Sequence, residues 1–256
     1  MDTTKDFAPI LSDYAFFEAR ATEAVNDAAA YARVIAPLVA AGQPLRMLDF
    51  GCGTGTFTER LLRLVQIPPP RLQLALVEPV AASPALAAER VARFSASPIE
   101  HANSLAAIQQ PDFDLIVANH VLYYVPDLPA TLAALIQRLA PGGRLLTAIA
   151  GNDNTLIQFC RAGFAMIGRP MPYHMAEDVA AALGQLGLAY EKHEVPYDLI
   201  FDDTEANRLT ILRFLFSEHL TEMPRPAMLD LFTPFARGGQ IQIHTACWHF
   251  SMGRPG

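Results

Sequence analysis

Short apolar segments alternate with helical segments along most of the chain, and this alternation constrains the fold more than any other feature. The segments "RMLDF" (46–50), "LQLALVE" (72–78) and "FDLIVANHV" (113–121) have the character of buried strands, and helical patterns separate them. Parallel strands joined by crossover helices produce this alternation. The sequence therefore predicts an α/β fold built on a doubly wound, largely parallel sheet.

Changes of pattern divide the chain into four predicted segments. Residues 1–43 are alanine-rich with helical spacing, and residues 44–195 carry the alternation of strands and helices. Residues 196–238 are long for a connection between two strands and have helical patterns, so we expect a helical cap there. Residues 239–256 contain "QIQIHTACWHFSM", whose alternation predicts a last strand of the core.

Composition and charge restrict the possible partners and location. The 256 residues are 52% hydrophobic with a net charge of −7, which gives no basic footprint for nucleic acid. No apolar stretch reaches about 18 residues, and the first residues lack the pattern of a secretion signal. The three cysteines are widely spaced, and no histidine spacing suggests a metal site. We expect a cytoplasmic monomer or homodimer without membrane contact or bound metal, and with His244 and His249 packed on the last strand.

A glycine-rich turn, "MLDFGCGTGTF" (47–57), joins the first predicted strand to a helix. Three glycines occupy alternate positions in it: Gly51, Gly53 and Gly55. Such a turn lets backbone N–H groups approach a nucleotide-like ligand closely. In the dinucleotide fingerprint the third glycine falls one position later, where this chain has Thr56. Asp49 would repel a pyrophosphate but suits a cationic ligand, so the loop favours S-adenosylmethionine, which carries an ammonium and a sulfonium group.

Two further segments support a nucleotide-like ligand. Glu78 ends the second predicted strand, where a carboxylate can accept hydrogen bonds from both hydroxyls of a ribose. The segment "APGGRLL" (140–146) predicts a helix end and a tight turn before a further strand. A nicotinamide-dependent reductase is disfavoured, because neither lysine of the chain, Lys5 or Lys192, accompanies a candidate catalytic tyrosine.

Four segments in order resemble the class I S-adenosylmethionine-dependent methyltransferases over residues 45–150: "LDFGCGTG", "LVEP", "FDLIVANHVLYYVPD" and "LAPGGRLL". The resemblance implies a seven-stranded Rossmann-like sheet whose last two strands, at 189–195 and 240–250, form a reversed hairpin. It also implies the residues that would contact S-adenosylmethionine: Asp49, Gly51, Gly53, Gly55, Glu78, Pro79, Asn103, Ser104 and Asn119.

Other segments carry a narrower resemblance, to the histamine N-methyltransferase group: "FFEARATEA" (16–24), "VEP" (77–79), "VLYYVPDLPATL" (121–132) and "GLAYE" (187–191). Carried over by position, this resemblance implies four catalytic residues: Glu23, His120, Tyr123 and Tyr124. It implies a substrate pocket formed by Tyr14, Phe17, Glu23, Tyr123, Tyr124 and Thr245. The chain departs from the group at two positions, since His120 stands in place of a glutamine and Thr245 in place of an asparagine.

The sequence thus predicts a methyl transfer to a nitrogen of a small amine or N-heterocyclic molecule. An alkylamine must lose a proton before it can attack at neutral pH, and His120 or Glu23 is the candidate acceptor of that proton. Two alternatives stay open. One is a small-molecule O- or C-methyltransferase that uses His120 as its base, and the other is a catalytically silent S-adenosylmethionine-binding protein.

Overall fold

One eight-stranded sheet forms the centre of the computed structural model, which describes residues 8–80 and 83–254. The strands are β1 (Leu45–Phe50), β2 (Leu72–Val77), β3 (Glu100–Ala102), β4 (Phe113–Asn119), β5 (Leu139–Ile149), β6 (Tyr190–Asp202), β7 (Ala236–Arg237) and β8 (Gln240–Gly253). Their order is β3-β2-β1-β4-β5-β8-β6, with β7 paired to β8. β1 to β5 pair in parallel, and β8 lies antiparallel between β5 and β6. The predicted doubly wound sheet with a reversed last hairpin is confirmed.

Helices cover both faces of this sheet. They are α1 (Leu11–Arg20), α2 (Glu23–Ala40), α3 (Thr56–Val65), α4 (Ser83–Val91), α5 (Leu128–Gln137), α6 (Thr155–Met166), α7 (Ala176–Gln185), α8 (Glu205–Phe216) and α9 (Arg225–Asp230). One core cluster joins α2, α3 and α4 to the sheet, and a second joins α5 and α7 to its opposite face. Strands buried on both faces need apolar side chains at successive positions, which explains the continuous apolar runs of the sequence. No helix among the described residues combines the length and apolar character needed to cross a membrane.

The strand β6 is longer than the sequence predicted. We expected it over residues 189–195, but it runs to Asp202, and Pro196 pairs with Ala246 of β8. Its inward positions are buried in alternation: Val195, Tyr197, Leu199 and Phe201. A proline inside the run and charged residues around it obscured this alternation in the sequence. The helical insertion is therefore shorter than residues 196–238, since its first seven positions belong to the sheet.

The predicted tight turn at 140–146 is a bulge inside β5 rather than a turn before it. β5 begins at Leu139, directly after α5, and its register against β4 shifts between Phe113 and Leu115. Gly142 adopts a φ of +79° there. The extra residues are accommodated because glycine tolerates this left-handed conformation.

The first helix and the insertion pack against each other over the end of β6. The rings of Phe17 on α1 and Phe214 on α8 stack with centroids 4.6 Å apart. The Asp13 carboxylate accepts hydrogen bonds from Arg213 on α8 at 2.7 and 2.9 Å. At the joint between α1 and α2, the Thr22 hydroxyl accepts a hydrogen bond from the backbone N–H of Asp198 on β6. These contacts fix the beginning of α2 above the sheet.

Candidate active site

The glycine-rich loop adopts a backbone that few other residues could adopt. Gly51, Gly53 and Gly55 have φ values of +81°, +52° and +80°. A Cβ atom on Gly51 would lie 2.3 Å from Cγ2 of Val121, so this position is closed by packing. A Cβ atom on Gly53 would meet no atom of residues 8–80 or 83–254 within 4 Å. The loop therefore offers an open surface of bare backbone at Gly53, which is the feature a closely held ligand requires.

The carboxylate of Glu78 lies directly against this open surface. Its Oε2 accepts a hydrogen bond from the backbone N–H of Gly53 at 3.0 Å, and its Oε1 accepts one from Val80 at 3.3 Å. The Asn103 side chain donates to the backbone oxygen of Glu78 at 3.2 Å. Pro79 and Ser104 are exposed beside them. The structure thus brings together, at one edge of the sheet, the loop and the residues that follow β2 and β3.

Asp49 lies beneath the loop at the end of β1 and is only 2% exposed. It accepts a hydrogen bond from the hydroxyl of Thr58 on α3. Burial raises the pKa of Asp49 to about 7, the hydrogen bond from Thr58 acts in the opposite direction, and the charge of Glu78 adds to the increase. A cationic ligand in the loop would stabilise the ionised form of this carboxylate.

A second group of polar side chains meets where α2 lies over the end of β4 and the middle of β8. Asp27 accepts hydrogen bonds from Nε2 of His120 at 2.9 Å and from Nε2 of His249 at 2.7 Å. One helical turn earlier, Oε1 of Glu23 accepts from the thiol of Cys247 at 3.3 Å, and Oε2 lies 3.7 Å from Nε2 of His120. We call these five residues the polar cluster.

His120 enters the cluster from a strained backbone. It follows the last residue of β4 with a φ of +52°, a left-handed conformation that costs free energy in any residue with a Cβ atom. Its backbone N–H donates to the oxygen of Ala148 on β5 at 3.0 Å, which holds the turn. Strain of this kind persists where the surrounding structure enforces it, and it is concentrated at functional sites.

Burial and neighbouring charges shift the pKa values of Glu23, Asp27 and His120 in the cluster. Burial alone would lower the pKa of His120, but the carboxylates of Glu23 and Asp27 raise it to about 9. Burial would raise the pKa of Asp27, but His120 and His249 lower it to about 2. Burial raises the pKa of Glu23, and the charge of His120 partly opposes that increase. An imidazolium has no lone pair to receive a proton, so these charges favour Glu23 over His120 as a proton acceptor.

Tyrosine side chains line the side of the cluster next to His120. The Tyr123 ring is nearly parallel to the His120 ring at 6.0 Å, and its hydroxyl accepts a hydrogen bond from the N–H of Ala150. Tyr124 follows, with its ring edge-on to Tyr173 at 5.5 Å. Burial raises the pKa of both Tyr123 and Tyr124, so both are neutral phenols. Burial also raises the pKa of Tyr14, and the nearby charges of Glu18 and Glu23 raise it further.

The two other predicted pocket residues, Phe17 and Thr245, contact α8 and the start of α6. Phe17 is 4% exposed and packs between α1 and α8, where it stacks on Phe214. The hydroxyl of Thr245 accepts a hydrogen bond from the backbone N–H of Thr155 at 3.0 Å, at the start of α6. Thr245 borders a separate surface groove together with Asp153, Thr155, Glu194, Pro196, His244 and Ala246.

Sequence reasoning missed three members of the cluster: Asp27, Cys247 and His249. Asp27 stands four residues after Glu23, a spacing that places both carboxylates on one helical face and could have identified it. Cys247 and His249 alternate on β8 and so share a face of the sheet. His249 packs in the interior as expected and also bonds to Asp27, whereas the expectation that His244 packs is wrong, since His244 is exposed and pairs with Asp198.

A possible set of metal ligands and the position of Asn119 bear on what the site could hold. Glu23, His120 and Cys247 each offer a ligand atom within 4.8 Å of the others. We interpret them as a hydrogen-bonded group, because His120 and Cys247 both act as donors to carboxylates. Asn119, the last residue of β4, accepts a hydrogen bond from the Tyr31 hydroxyl at 3.0 Å, at the same edge of the sheet as the glycine loop.

Comparison with known proteins gives the following similarities. Residues 23–193 match a protein family described as methyltransferase domain. A trans-aconitate 2-methyltransferase from Methylobacterium nodulans is 34% identical over 109 residues, which are 43% of this chain and 40% of the relative. A histamine N-methyltransferase B from Xenopus laevis is 28% identical over 190 residues, which are 66% of this chain and 64% of the relative. The matched regions thus span less than two thirds of each relative.

The fold has a counterpart among solved structures. A putative methyltransferase from Bacillus halodurans superposes with a TM-score of 0.57 at 12% identity. The superposition covers 88% of this chain and 99% of that protein. At this identity the similarity concerns the fold.

Proposed function

Because this chain belongs to the methyltransferase domain family, we propose that it transfers the methyl group of S-adenosylmethionine to a nitrogen of a small amine or N-heterocyclic molecule. The observation that carries the acceptor class is the charge of the polar cluster. Two carboxylates, Glu23 and Asp27, face one imidazolium, His120, so the cluster is negative when Glu23 is ionised. A negative, largely buried site stabilises a cationic amine and opposes an anionic acceptor.

The names of the curated relatives include both an acid and an amine as acceptor. The polar cluster favours the amine, because a carboxylate group placed beside Glu23 and Asp27 would meet like charge. The aromatic rings of Tyr123 and Tyr124 are suited to the same kind of acceptor, since an ammonium group is attracted to the face of an aromatic ring.

The glycine loop is the proposed site of the methyl donor. When bound, S-adenosylmethionine supplies an electrophilic methyl group on a sulfonium. The open surface at Gly53 accepts a closely held ligand, Glu78 lies beside it to bind ribose hydroxyls, and Asp49 lies beneath it to balance positive charge. Pro79, Asn103, Ser104 and Asn119 complete the proposed set. Asn103 holds the segment after β2 in place through its bond to the backbone of Glu78.

Glu23 is the proposed proton acceptor for the amine. An alkylamine has a pKa of about 10.4 and is almost entirely protonated at neutral pH, when its nitrogen has no free lone pair. A carboxyl group whose pKa is raised by burial accepts that proton more effectively than an exposed one. His120 keeps a positive charge within 3.7 Å of Glu23 and so keeps the carboxylate available as an anion.

The lid and the insertion are the proposed cover of the acceptor side. With residues 196–202 assigned to the sheet, we propose four functional segments: a lid at 1–43, a core at 44–202, a cap at 203–238 and the last strand at 239–256. The packing of α1 on α8 supports a joint role for the lid and the cap. Covering the acceptor excludes water from the transfer step, and alignment of the two reactants can contribute roughly 7–11 kcal/mol to lowering the barrier.

The test is release of S-adenosylhomocysteine from S-adenosylmethionine with a panel of acceptors. The panel contains histamine, other amines, azaheterocycles, phenols and trans-aconitate, and mass spectrometry locates the added methyl group. We expect turnover with an amine or a ring nitrogen. Release only with phenols, carbon acids or carboxylates would overturn the N-methyl proposal. Cofactor binding without release on any member would favour the silent binding protein.

We expect the affinity for S-adenosylmethionine to rise roughly tenfold between pH 5.5 and pH 7, because binding favours the ionised form of Asp49 and its pKa is about 7. Well below that pKa, the ionised fraction of the carboxylate falls about tenfold for each pH unit. Isothermal titration calorimetry across this range measures the effect. Asp49→Asn should bind more weakly and lose the pH dependence.

Asp114→Asn is the matched control. Asp114 lies on the neighbouring strand β4 and pairs with Arg46 at 2.8 Å, and this partner holds the pKa of Asp114 below its usual range. Its variant should keep the pH dependence of the unmodified protein. A flat profile in the unmodified protein would contradict a role for Asp49 in balancing the charge of the ligand.

A further inference from the structure

We propose that Asp27 and His249 are positioning residues that act through His120: they hold its imidazole toward Glu23 and keep a buried positive charge beside the acceptor. The inference rests on the proposed N-methyl transfer for its functional meaning. Its geometry rests only on the described residues. The order of contacts is His249, Asp27, His120 and then Glu23, which runs from the interior of β8 to the acceptor side.

Both carboxylate oxygens of Asp27 are engaged in hydrogen bonds. The residue is 1% exposed, and its two oxygens accept from two different histidines, at 2.9 Å from His120 and 2.7 Å from His249. In each pair the histidine Nε2 must carry the proton, because an ionised carboxylate only accepts. A carboxylate held from both sides has one orientation, and that orientation fixes the ring of His120.

His249 is a buried polar residue whose hydrogen bond is made to Asp27. It is 1% exposed, its ring lies 4.8 Å from that of Tyr31 and 5.7 Å from that of His193. Its Nδ1 has no hydrogen-bond partner within the part of the chain that the structure describes. A buried polar atom without a partner is unfavourable, and an apolar side chain would avoid the loss. The hydrogen bond from Nε2 of His249 to Asp27 offsets the cost of burying the unpaired Nδ1.

Groups from three elements surround His120. Glu23 and Asp27 face it from α2, and Tyr123 faces it from the turn after β4. On β8, Cys247 bonds to Glu23 and His249 bonds to Asp27. Nδ1 of His120 lies 3.4 Å from the Tyr123 hydroxyl, a long contact compared with the 2.9 Å bond to Asp27. Asp27 is therefore the dominant partner of the ring. Without Asp27, the ring of His120 keeps only its longer contacts, with Glu23 at 3.7 Å and Tyr123 at 3.4 Å.

The experiment is an NMR titration of the histidine imidazoles in the full-length chain with four variants. Asp27→Asn removes the charge, His249→Leu removes the second donor, and His249→Gln restores an N–H donor at that place. His244→Gln is the control, because His244 is exposed on the same strand and pairs with Asp198 instead. Each variant is first checked for its folded amide spectrum.

We expect the titration midpoint of His120, near pH 9 in the unmodified protein, to fall by at least one pH unit in Asp27→Asn. His249→Leu should lower it by a smaller amount, His249→Gln should restore most of that loss, and His244→Gln should leave it unchanged. An unchanged midpoint in Asp27→Asn, or in His249→Leu if Asp27→Asn does not fold, would overturn the proposal. A purely structural role would not move the midpoint selectively.

The titration needs no acceptor, which separates this inference from the proposed function. A lowered midpoint without turnover on any acceptor would retain the positioning role and reject the N-methyl proposal. Turnover with an unchanged midpoint would do the reverse. If the midpoint falls and an alkylamine is also methylated, the pH profile of kcat for that alkylamine should shift in Asp27→Asn in the same direction as the midpoint. KM for S-adenosylmethionine should stay the same.

Discussion

Glu23→Gln is expected to lower kcat/KM for an alkylamine acceptor by about 10²–10⁴-fold, the usual contribution of a general base. Glutamine keeps the shape of the side chain and can still accept a hydrogen bond from Cys247. It carries no negative charge and cannot take the proton of the amine. Initial rates of S-adenosylhomocysteine release measure the loss, and calorimetry should show an unchanged affinity for S-adenosylmethionine.

Glu18→Gln is the matched control for this variant. Glu18 lies on α1, and burial raises its pKa too, but the hydrogen bond it makes is to Tyr14 rather than to the polar cluster. We expect less than roughly a threefold effect on kcat/KM, typical of a residue that does not touch the reacting groups. Equal losses in both variants would show that the lid, and not the proton acceptor, was disturbed.

The acceptor itself provides a second comparison. A ring nitrogen with a pKa near 6.5 is already unprotonated in most molecules at pH 7.5, so it has little need of a base. Glu23→Gln should therefore cost an azaheterocycle much less than an alkylamine. The same loss with both acceptors would mean that Glu23 binds the substrate without removing its proton.

The charge of His120 also bears on the competing O- or C-methyl transfer. That reaction needs a neutral imidazole to remove the proton of a phenol or carbon acid. With its pKa raised to about 9 by Glu23 and Asp27, His120 is protonated at neutral pH. An enzyme using it as the base would work best in alkaline solution, whereas a reaction dependent on Glu23 requires no such condition.

The parts of the fold that the sequence predicted depend on residues close together in the chain. The helix predicted directly after the glycine-rich turn is present as α3, Thr56–Val65, because the glycines before it and the apolar spacing within it are local signals. The same holds for β1 and for the loop that joins them. An apolar strand followed by a glycine-rich turn and a helix is a pattern of consecutive residues, so it could be recognised without tertiary information.

The chemistry of the acceptor side depends on contacts that no local pattern contains. Asp27 and His249 are 222 residues apart, and they meet only because β8 is inserted between β5 and β6 in one register. The sequence identified His120 as a candidate catalytic residue but not its charge. That charge follows from the carboxylates of Glu23 and Asp27, which lie on a helix distant in the chain.

Gly53→Ala is expected to weaken S-adenosylmethionine binding by roughly 100-fold, which corresponds to about 2.7 kcal/mol. The added methyl group would point into the open surface beside Glu78, where the ligand is proposed to lie. The left-handed φ of +52° would also lower the free energy of unfolding of this variant by about 1–2 kcal/mol. Calorimetry gives the affinity, and urea unfolding gives the stability.

Gly142→Ala separates the two effects, because it imposes the same kind of strain away from the loop. Gly142 has a φ of +79° in the bulge of β5, and a Cβ atom there would also meet no described atom within 4 Å. It should lose a similar amount of stability and keep its affinity for S-adenosylmethionine. Gly51→Ala should instead lose more stability than either, since its Cβ atom would overlap Val121 at 2.3 Å. If Gly53→Ala and Gly142→Ala bound the ligand equally well, the glycine loop would not be where the methyl donor binds.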